Sequence, residues 1–173
     1  MTVSHLTIAR RYFITDNQFI ITTVPANIHT VLGSCVSVCL WDRKLKMGGM
    51  NHYLMPGSAS SAAGNSNHGY TAIPMLINSM INRGASVENL EAKIFGACNS
   101  WVNDRGLFTV GFRNIEIADQ ILKREGIQIT ARNTGGIHGR KIIFNTFTGK
   151  VKVYLLTKTA AVVNEEINKG FGY

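Results

Sequence analysis

The amino-acid sequence predicts an α/β (α+β) fold, a layered sandwich of mixed β-sheets flanked by helices. Segments with strand character outnumber helical segments, and the two kinds are interleaved along the chain. No internal repeat and no obvious linker interrupts the 173 residues. A chain of this length buries roughly 70% of its unfolded surface, so it needs no disulfide or metal to hold a core. We therefore predict one domain over residues 1–173, with 1–28 and 157–173 as peripheral extensions.

Strands are predicted where apolar residues alternate with polar ones between turn signals. The predicted strands cover residues 18–25, 46–55, 89–98 and 127–131, and a hairpin over 141–156 that turns near Thr148 and Gly149. Met50, His52 and Leu54 share one face of the strand at 46–55, because side chains alternate with a period of two. Gly48 and Gly49 in that strand indicate a bulge or a close backbone approach.

Residues 31–40, with the sequence VLGSCVSVCL, fit two local structures. Alternate residues from Val36 to Leu40 are apolar, as in a strand. The stretch that begins at Cys35 also fits one face of a helix, with Ser34 as its N-cap. Periodicity does not separate a strand from a helix in so short an apolar run, so both interpretations stay open.

Two amphipathic helices are predicted, over residues 71–84 and 114–126. Pro74 lies in the first turn of the earlier helix, and Gly84 ends it. The later helix has Asn114 as its N-cap and a glycine after its last turn.

Two further segments have a less regular pattern. The chain from residue 157 onward resembles a helix before it ends in a glycine-rich tail. Residues 56–69 are small and lack periodicity, and a loop of that length is either functional or disordered.

The composition predicts a cytoplasmic protein. Three scattered cysteines cannot all pair, which indicates a reducing compartment. Arg10 and Arg11 interrupt the first apolar stretch, and no run approaches the roughly 18 residues of a membrane span. The net charge of +8 is spread along the chain without interleaved aromatic residues. A solvated basic surface is the favoured interpretation, attraction to an acidic partner is the alternative, and nucleic-acid binding is not expected.

Cys35 is the first candidate for chemistry. A cysteine acts as a nucleophile in its thiolate form, which a helix N-terminus or a neighbouring imidazolium stabilises. Gly33 allows the backbone to approach a substrate carbonyl, and the N–H groups around Cys35 could hold an oxyanion. Taken alone, however, a cysteine in this context is more often a buried core residue.

His52 is the second candidate, as the general base for Cys35 delivered from a neighbouring strand. Its alternative is a structural histidine on an apolar strand face. No zinc site is predicted, because Cys35 and Cys39 lack a second close pair of ligands. No cofactor is expected either.

Residues 134–141, with the sequence TGGIHGRK, are the third candidate. Their glycines followed by Arg140 could form an anion-binding loop. The spacing fits neither a Walker motif nor a dinucleotide fingerprint, and a tight turn that enters a hairpin is the favoured interpretation.

These segments in combination resemble the CheD family, the chemoreceptor glutamine deamidases of bacterial chemotaxis. The matching pieces, in order, are TVLGSCVSVCLWD, KMGGMNHYLMP, LEAKIFGAC, VGFRN, GIQI, TGG and GRKIIFNTFTGKVKV. They cover roughly residues 30–153. LGSCVSVCL and GGMNH at their mutual spacing are the most specific.

The resemblance implies a layered α/β sandwich similar to that of toxin-type cysteine deamidases. It implies Cys35 as the nucleophile and His52 as the histidine of the site, with Gly33 and Ser34 supporting the oxyanion. The family's third member is a threonine shortly before the cysteine. In HTVLGSC that position falls on His29 or Thr30, and the residue type favours Thr30.

The chain departs from its relatives at two further places. Asn133 stands where they often carry Asp before TGG. Residues 67–72, NHGYTA, differ from their KYADTA-like stretch. The second departure concerns a region that could shape the choice of substrate or partner.

The resemblance also implies partners. The expected substrate is a glutamine of a methyl-accepting chemotaxis receptor, which is converted to glutamate through a thioester. The CheC phosphatase is a further expected partner, and membrane insertion is not expected. The alternative function is a non-catalytic regulator that docks to receptors or to CheC.

Overall fold

The structure, a computed structural model, describes residues 10–58, 67–99 and 110–157. These residues form nine strands, two helices and a short 3-10 turn at Val87–Asn89. The strands are β1 (Arg10–Phe13), β2 (Phe19–Thr22), β3 (Ala26–Leu32), β4 (Val36–Asp42), β5 (Met47–Asn51), β6 (Leu90–Gly96), β7 (Gln128–Thr134), β8 (Gly139–Asn145) and β9 (Val151–Leu156). The helices are α1 (Gly69–Ile81) and α2 (Val110–Arg124).

The strands form two sheets. The four-stranded sheet has the order β1-β3-β8-β9, and the five-stranded sheet has the order β2-β5-β4-β6-β7. Both sheets are mixed: β1 runs parallel to β3 and β7 parallel to β6, and the other neighbours are antiparallel. The predicted sandwich of mixed sheets is therefore confirmed.

Three layers follow from the two hydrophobic clusters. Helices α1 and α2 pack on one face of the five-stranded sheet, where Val36, Val38 and Leu40 of β4 contact them. The other face of that sheet packs on the four-stranded sheet, through residues such as Cys39 and Phe144. Strand β4 therefore lies in the middle layer, with both of its faces covered.

The ambiguity at residues 31–40 is resolved in favour of strands. Residues 31 and 32 complete β3, and the chain turns through 33–35 and enters β4. The helical alternative is wrong here, so Cys35 lies in a turn between strands and not at a helix N-terminus. The pattern was ambiguous because a strand buried on both faces loses its polar–apolar alternation.

Both predicted helices exist with shifted starts. Helix α1 begins at Gly69, which places Pro74 inside the helix and not in its first turn. Helix α2 already includes Val110, so the prediction of Asn114 as its N-cap is wrong. Gly111 explains the shift: a Cβ there would lie 3.1 Å from the Ala97 backbone, so close packing requires glycine where a helix would otherwise disfavour it.

The predicted strands and hairpin are all present, with β8 and β9 forming the hairpin. Residues 10–28, which the sequence predicts as part of a peripheral extension, supply β1 and β2, the edge strands of the two sheets, and the start of β3. Residues 1–9, 59–66 and most of the predicted C-terminal helix lie outside the described residues. Within the described ranges, neither helix is long and apolar enough to cross a membrane.

Two glycines allow close contacts in the core: Gly48 between the two sheets, and Gly96 against the turn at residues 33–35. A Cβ at Gly48 would lie 2.9 Å from the Phe144 ring, so this glycine serves close packing between the sheets, one of the two roles predicted for it. Gly96 has a φ of +112°, and a Cβ on it would lie 2.1 Å from the Cys35 carbonyl oxygen. That oxygen instead accepts a hydrogen bond from the Ala97 N–H at 2.7 Å.

We predict that Gly96→Ala destabilises the fold by about 1–3 kcal/mol more than Gly126→Ala. Gly126 also has a positive φ, of +71°, but nothing lies within 4 Å of its missing Cβ. The control therefore carries only the strain of a left-handed alanine, about 1–2 kcal/mol. Urea unfolding of both variants measures the difference, and equal losses would show that the Cys35 carbonyl imposes no steric limit.

Candidate active site

Strand β3 presents Thr30 to the space between the sheets. Burial alternates along β3, with Ile28, Thr30 and Leu32 on the buried side. His29 points to the opposite face because successive side chains alternate across a strand. There its ring lies 4.7 Å from the ring of Phe13, centroid to centroid. The structure thus separates the two residues that the sequence left as alternatives.

The turn at residues 33–35 places Cys35 at the end of the inter-sheet core. Cys35 is half-buried and packs against the cluster between the sheets, whereas Cys39 and Cys98 are buried. The carbonyl oxygen of Gly33 accepts a hydrogen bond from the Cys98 N–H at 2.8 Å. Together with the bond from Ala97 to the Cys35 oxygen, this contact fixes the turn against the end of β6.

His52 follows β5 directly and reaches the same region. Its N–H donates to the Gln18 oxygen at 3.0 Å, and its own carbonyl accepts from the Asn17 N–H at 2.9 Å. Met50, two residues earlier, belongs to the inter-sheet cluster, so the shared face predicted for these two residues is confirmed. The side chain of His52 is buried, with 4% of its surface exposed.

A chain of hydrogen bonds orients the His52 ring. Thr30 Oγ1 donates to the Ile14 carbonyl oxygen at 2.8 Å and lies 2.8 Å from His52 Nδ1. A hydroxyl has one hydrogen, and that hydrogen is used on Ile14. Thr30 Oγ1 must therefore accept a hydrogen bond from Nδ1–H, which leaves Nε2 as the unprotonated nitrogen of the neutral ring.

The His52 ring lies near the sulfur, and its Nε2 faces a carboxylate. A ring nitrogen of His52, the Cys35 sulfur and a carboxylate oxygen of Asp16 all lie within 4.8 Å of one another. The distance from Nε2 to Asp16 Oδ1 is 3.1 Å. Asp16 lies in the turn between β1 and β2, and its side chain is 55% exposed. Cysteine and histidine are thus on the same side of the layer and near each other.

Burial and Asp16 set the protonation of the pair. Burial, and secondarily the negative charge of Asp16, raise the pKa of the Cys35 thiol. Burial lowers the pKa of His52, and Asp16 opposes that effect by favouring the imidazolium. Burial is the larger effect on each group, and it favours a neutral thiol beside a neutral imidazole. Such a pair can pass a proton from sulfur to Nε2 when a substrate arrives.

Backbone N–H groups also face the sulfur. Those of Cys35 and Gly33 interact with the Cys35 thiolate and lower its pKa, against the effect of burial. The Ser34 carbonyl oxygen accepts a hydrogen bond from the Asn114 side-chain amide at 3.5 Å. The turn therefore places N–H donors beside the sulfur, where the thiolate charge would form.

The sequence missed the structural role of Asn114. This residue is fully buried inside α2, and its side-chain amide donates to the Leu54 oxygen at 2.8 Å. Its carbonyl oxygen accepts a hydrogen bond from the Tyr53 hydroxyl at 2.8 Å. Asn114 thus joins α2 to the segment after β5 and to the turn at Ser34. A polar residue among the apolar positions of an amphipathic helix was the available signal.

Residues 134–141 comprise the end of β7, a turn at 135–138 and the start of β8, and this turn is one of the connections between the two sheets. Gly135 and Gly136 have φ values of +74° and +71°, as a tight turn requires. The buried Arg140 guanidinium donates to carbonyl oxygens of Asn133, Gly135 and His138. The Nη1 and Nη2 donors are used on the turn and on the end of β7, whereas the buried Nε has no partner among the described residues. The use of both Nη groups favours the structural interpretation over an anion-binding loop.

A thiol, an imidazole and a hydroxyl at one end of a two-sheet sandwich are the groups that thiol–imidazole hydrolases use. The family model for CheD chemotactic sensory transduction matches residues 54–155. A protein of Rhizobium meliloti (strain 1021), named "Probable chemoreceptor glutamine deamidase CheD", is 38% identical over 156 residues, 88% of this chain and 84% of that protein. This chain belongs to the CheD family.

A second curated relative agrees with this assignment. A protein of the same name from Sulfurimonas denitrificans is 38% identical over 149 residues, which cover 85% of this chain and 95% of that protein. Among solved structures, a hypothetical protein YfiH from Bacillus licheniformis superposes with a TM-score of 0.49 at 17% identity. That match covers 74% of this chain and 60% of the other.

We predict that Asp16→Asn increases the reactivity of Cys35 at low pH. The variant removes a charge that raises the pKa of the thiol, so the pH midpoint of alkylation moves down. The rate of iodoacetamide labelling of Cys35, followed by peptide mass spectrometry across pH, measures the shift. Glu88→Gln changes the net charge equally at an exposed position and serves as the control. An unchanged midpoint in Asp16→Asn would contradict the assigned electrostatics.

Proposed function

We propose that this chain is a protein-glutamine deamidase that converts glutamine side chains of chemotaxis receptors to glutamate. Two findings support the proposal. Its relatives in the CheD family carry that activity in their names. The observation that carries the mechanism is the placement of the Cys35 sulfur within 4.8 Å of a buried imidazole and a carboxylate. Cys35 acts as the nucleophile, His52 as the proton carrier, and Thr30 as the residue that orients His52.

The first step forms a covalent adduct. Nε2 of His52 accepts the thiol proton while the Cys35 sulfur attacks the side-chain carbonyl carbon of the glutamine. The carbonyl oxygen becomes an oxyanion, and backbone N–H groups of the turn at Gly33, Ser34 and Cys35 stabilise it. The imidazolium formed at this stage is stabilised by the neighbouring Asp16 carboxylate, 3.1 Å away.

The second step releases ammonia. The His52 imidazolium gives its proton to the departing nitrogen, the C–N bond breaks, and a thioester joins Cys35 to the substrate.

The third step hydrolyses the thioester. A water molecule loses a proton to Nε2 and attacks the thioester carbon. The sulfur leaves and recovers the proton from His52. The products are glutamate and ammonia, and the enzyme returns to its neutral pair.

The rim of the site is the base of the loop at residues 56–69. The N–H groups of Leu54 and Met55 both donate to the Asn67 oxygen at 3.0 Å, so the two ends of the loop meet. Asn114 joins Leu54 to Ser34, which places the loop base beside the turn of Cys35. The loop base therefore has the position to contact a receptor helix whose glutamine enters the site.

The same proposal includes a location and a second partner. A receptor's signalling region lies in the cytoplasm, so we place this chain there as well. The CheC phosphatase is proposed as a regulatory partner. Competition between a receptor fragment and CheC for this chain in a pull-down assay tests that proposal.

We predict that Cys35→Ala abolishes deamidation of a receptor cytoplasmic fragment. Removing the general base by His52→Gln should lower the rate by about 10²–10⁴-fold. His29→Gln is the matched control, because His29 lies on the outer face of β3, and its rate should stay within about twofold. Mass spectrometry of receptor glutamines after incubation measures all three. Full conversion by Cys35→Ala would refute covalent catalysis, and an unconverted receptor with the wild-type chain would favour the docking alternative.

Thr30 has its own test. Thr30→Val keeps the shape of the side chain but cannot accept the hydrogen bond from Nδ1–H, so the ring can adopt the unproductive tautomer. We expect kcat to fall by about 10-fold or more, with KM little changed, because Thr30 acts through His52. Thr30→Ser restores the hydroxyl and should recover most of the rate. Equal losses in both variants would show that Thr30 serves packing and not ring orientation.

A further inference from the structure

Three metal-ligating groups of different chemistry converge at one point of the described structure. They are a carboxylate oxygen of Asp16, the Cys35 sulfur and a ring nitrogen of His52, all within 4.8 Å of one another. They come from the turn between β1 and β2, the turn before β4, and the end of β5. The cluster is therefore built by tertiary structure, and no local sequence motif reveals it.

In the neutral tautomer that Thr30 sets, the contact between His52 Nε2 and Asp16 joins two acceptors, and a bound cation would make it favourable. Thr30 holds the proton of the neutral ring on Nδ1, so Nε2 presents a lone pair. The Nε2 atom lies 3.1 Å from the Asp16 carboxylate oxygen, which is also an acceptor. Nε2 is buried and has no hydrogen-bond partner among the described residues. Two facing acceptors repel unless a proton or a cation lies between them.

We propose that Asp16, Cys35 and His52 form a Zn²⁺ site. Thiolate, imidazole and carboxylate are the three ligand types that zinc prefers in proteins. One thiolate and one carboxylate balance the charge of the ion, and the thiol proton is released when the ion binds. The site differs from the one excluded at the level of sequence, because Cys39 takes no part in it.

The hydrogen bond on the other nitrogen of His52 resembles the one that zinc-bound histidines make. A histidine that ligates zinc almost always donates its other N–H to a fixed acceptor. Thr30 Oγ1 is such an acceptor for Nδ1–H, at 2.8 Å, and it is itself anchored on the Ile14 oxygen. The imidazole is thus oriented for a ligand at Nε2 before any ion arrives.

The three ligand atoms need to move only slightly closer together to bind a zinc ion. Bond lengths of about 2.0–2.3 Å at tetrahedral angles place zinc ligands about 3.3–3.6 Å apart. Nε2 and Asp16 Oδ1 are already 3.1 Å apart, and the remaining separations are at most 4.8 Å. Asp16 lies in an exposed turn, and its side chain can move toward the sulfur. Three protein ligands leave a fourth position open to water.

Occupancy would switch the site off. Zinc would use the lone pairs of the Cys35 sulfur and of His52 Nε2, so neither could attack a substrate or carry a proton. The metal site goes beyond the proposed deamidase activity and does not depend on it. Zinc should therefore also protect Cys35 from alkylation, which is measured without any receptor.

The experiment titrates the full-length, reduced protein with Co²⁺ and then displaces the cobalt with Zn²⁺. Tetrahedral cobalt bound to a thiolate gives strong visible bands and a sulfur-to-cobalt charge-transfer band. We expect one equivalent to bind, the charge-transfer band to vanish in Cys35→Ala, and zinc to slow iodoacetamide labelling of Cys35 at least 10-fold. Asp16→Asn, at an exposed position, should weaken zinc at least 10-fold, since loss of outer contacts alone costs about 10–100-fold.

The controls are Cys39→Ala and Glu88→Gln, a buried thiol and an exposed carboxylate outside the cluster. Both should bind cobalt as the unmodified chain does. Absence of a charge-transfer band in the unmodified chain, or equal zinc affinity in Asp16→Asn, would overturn the proposal. Cobalt binding that persists in Cys35→Ala would show surface binding elsewhere and overturn it too. Circular dichroism of each variant establishes that it is folded.

Discussion

The site depends on the single hydrogen of the Thr30 hydroxyl. That hydrogen is used on the Ile14 carbonyl, so the oxygen can only accept from His52 Nδ1. The imidazole is held in one tautomer and one orientation as a result, with Nε2 turned toward Cys35 and Asp16. A hydroxyl with a free hydrogen would allow either tautomer of the ring.

The three-layer fold explains why this contact forms. Ile14 follows the edge strand β1, and its N–H pairs with the His29 oxygen, so the carbonyl lies beside Thr30. Thr30 belongs to one sheet and His52 to the other. The contact between them therefore exists only when the two sheets are stacked. Buried polar groups are tolerated when they are bonded, so the Thr30–His52 pair also fixes how the sheets meet at this end.

Local periodicity in the sequence predicted most elements of the fold. Strands β2, β5, β6, β7 and the β8–β9 hairpin were predicted within a few residues, and so were both helices. Strand β4 stayed ambiguous because it is apolar on both faces. The prediction of Asn114 as an N-cap was wrong. A glycine at position 111 normally argues against a helix there, so the sequence indicated a later start. The close approach of Gly111 to the Ala97 backbone, a tertiary contact, explains why glycine stands inside the helix. Strands β1 and β3 were not predicted.

The site was predictable only in part. Cys35 and His52 came from residue chemistry and from the family resemblance. The residue type already favoured Thr30 over His29, and the burial alternation of β3, a strand that the sequence did not reveal, places Thr30 and not His29 beside His52. Asp16 could not be found, because its contact with His52 spans 36 positions of the chain and no motif surrounds it. Tertiary contacts of this kind are set by sheet stacking and not by local pattern.

The most direct test of the central claim is the tautomer of His52 at neutral pH. Long-range ¹H–¹⁵N NMR correlation of the labelled, metal-free protein distinguishes protonated from unprotonated ring nitrogens. The hydrogen-bond chain through Thr30 predicts a proton on Nδ1 and a bare Nε2. A proton on Nε2 with a bare Nδ1 would contradict it, because the nitrogen that faces Cys35 could not then act as its base.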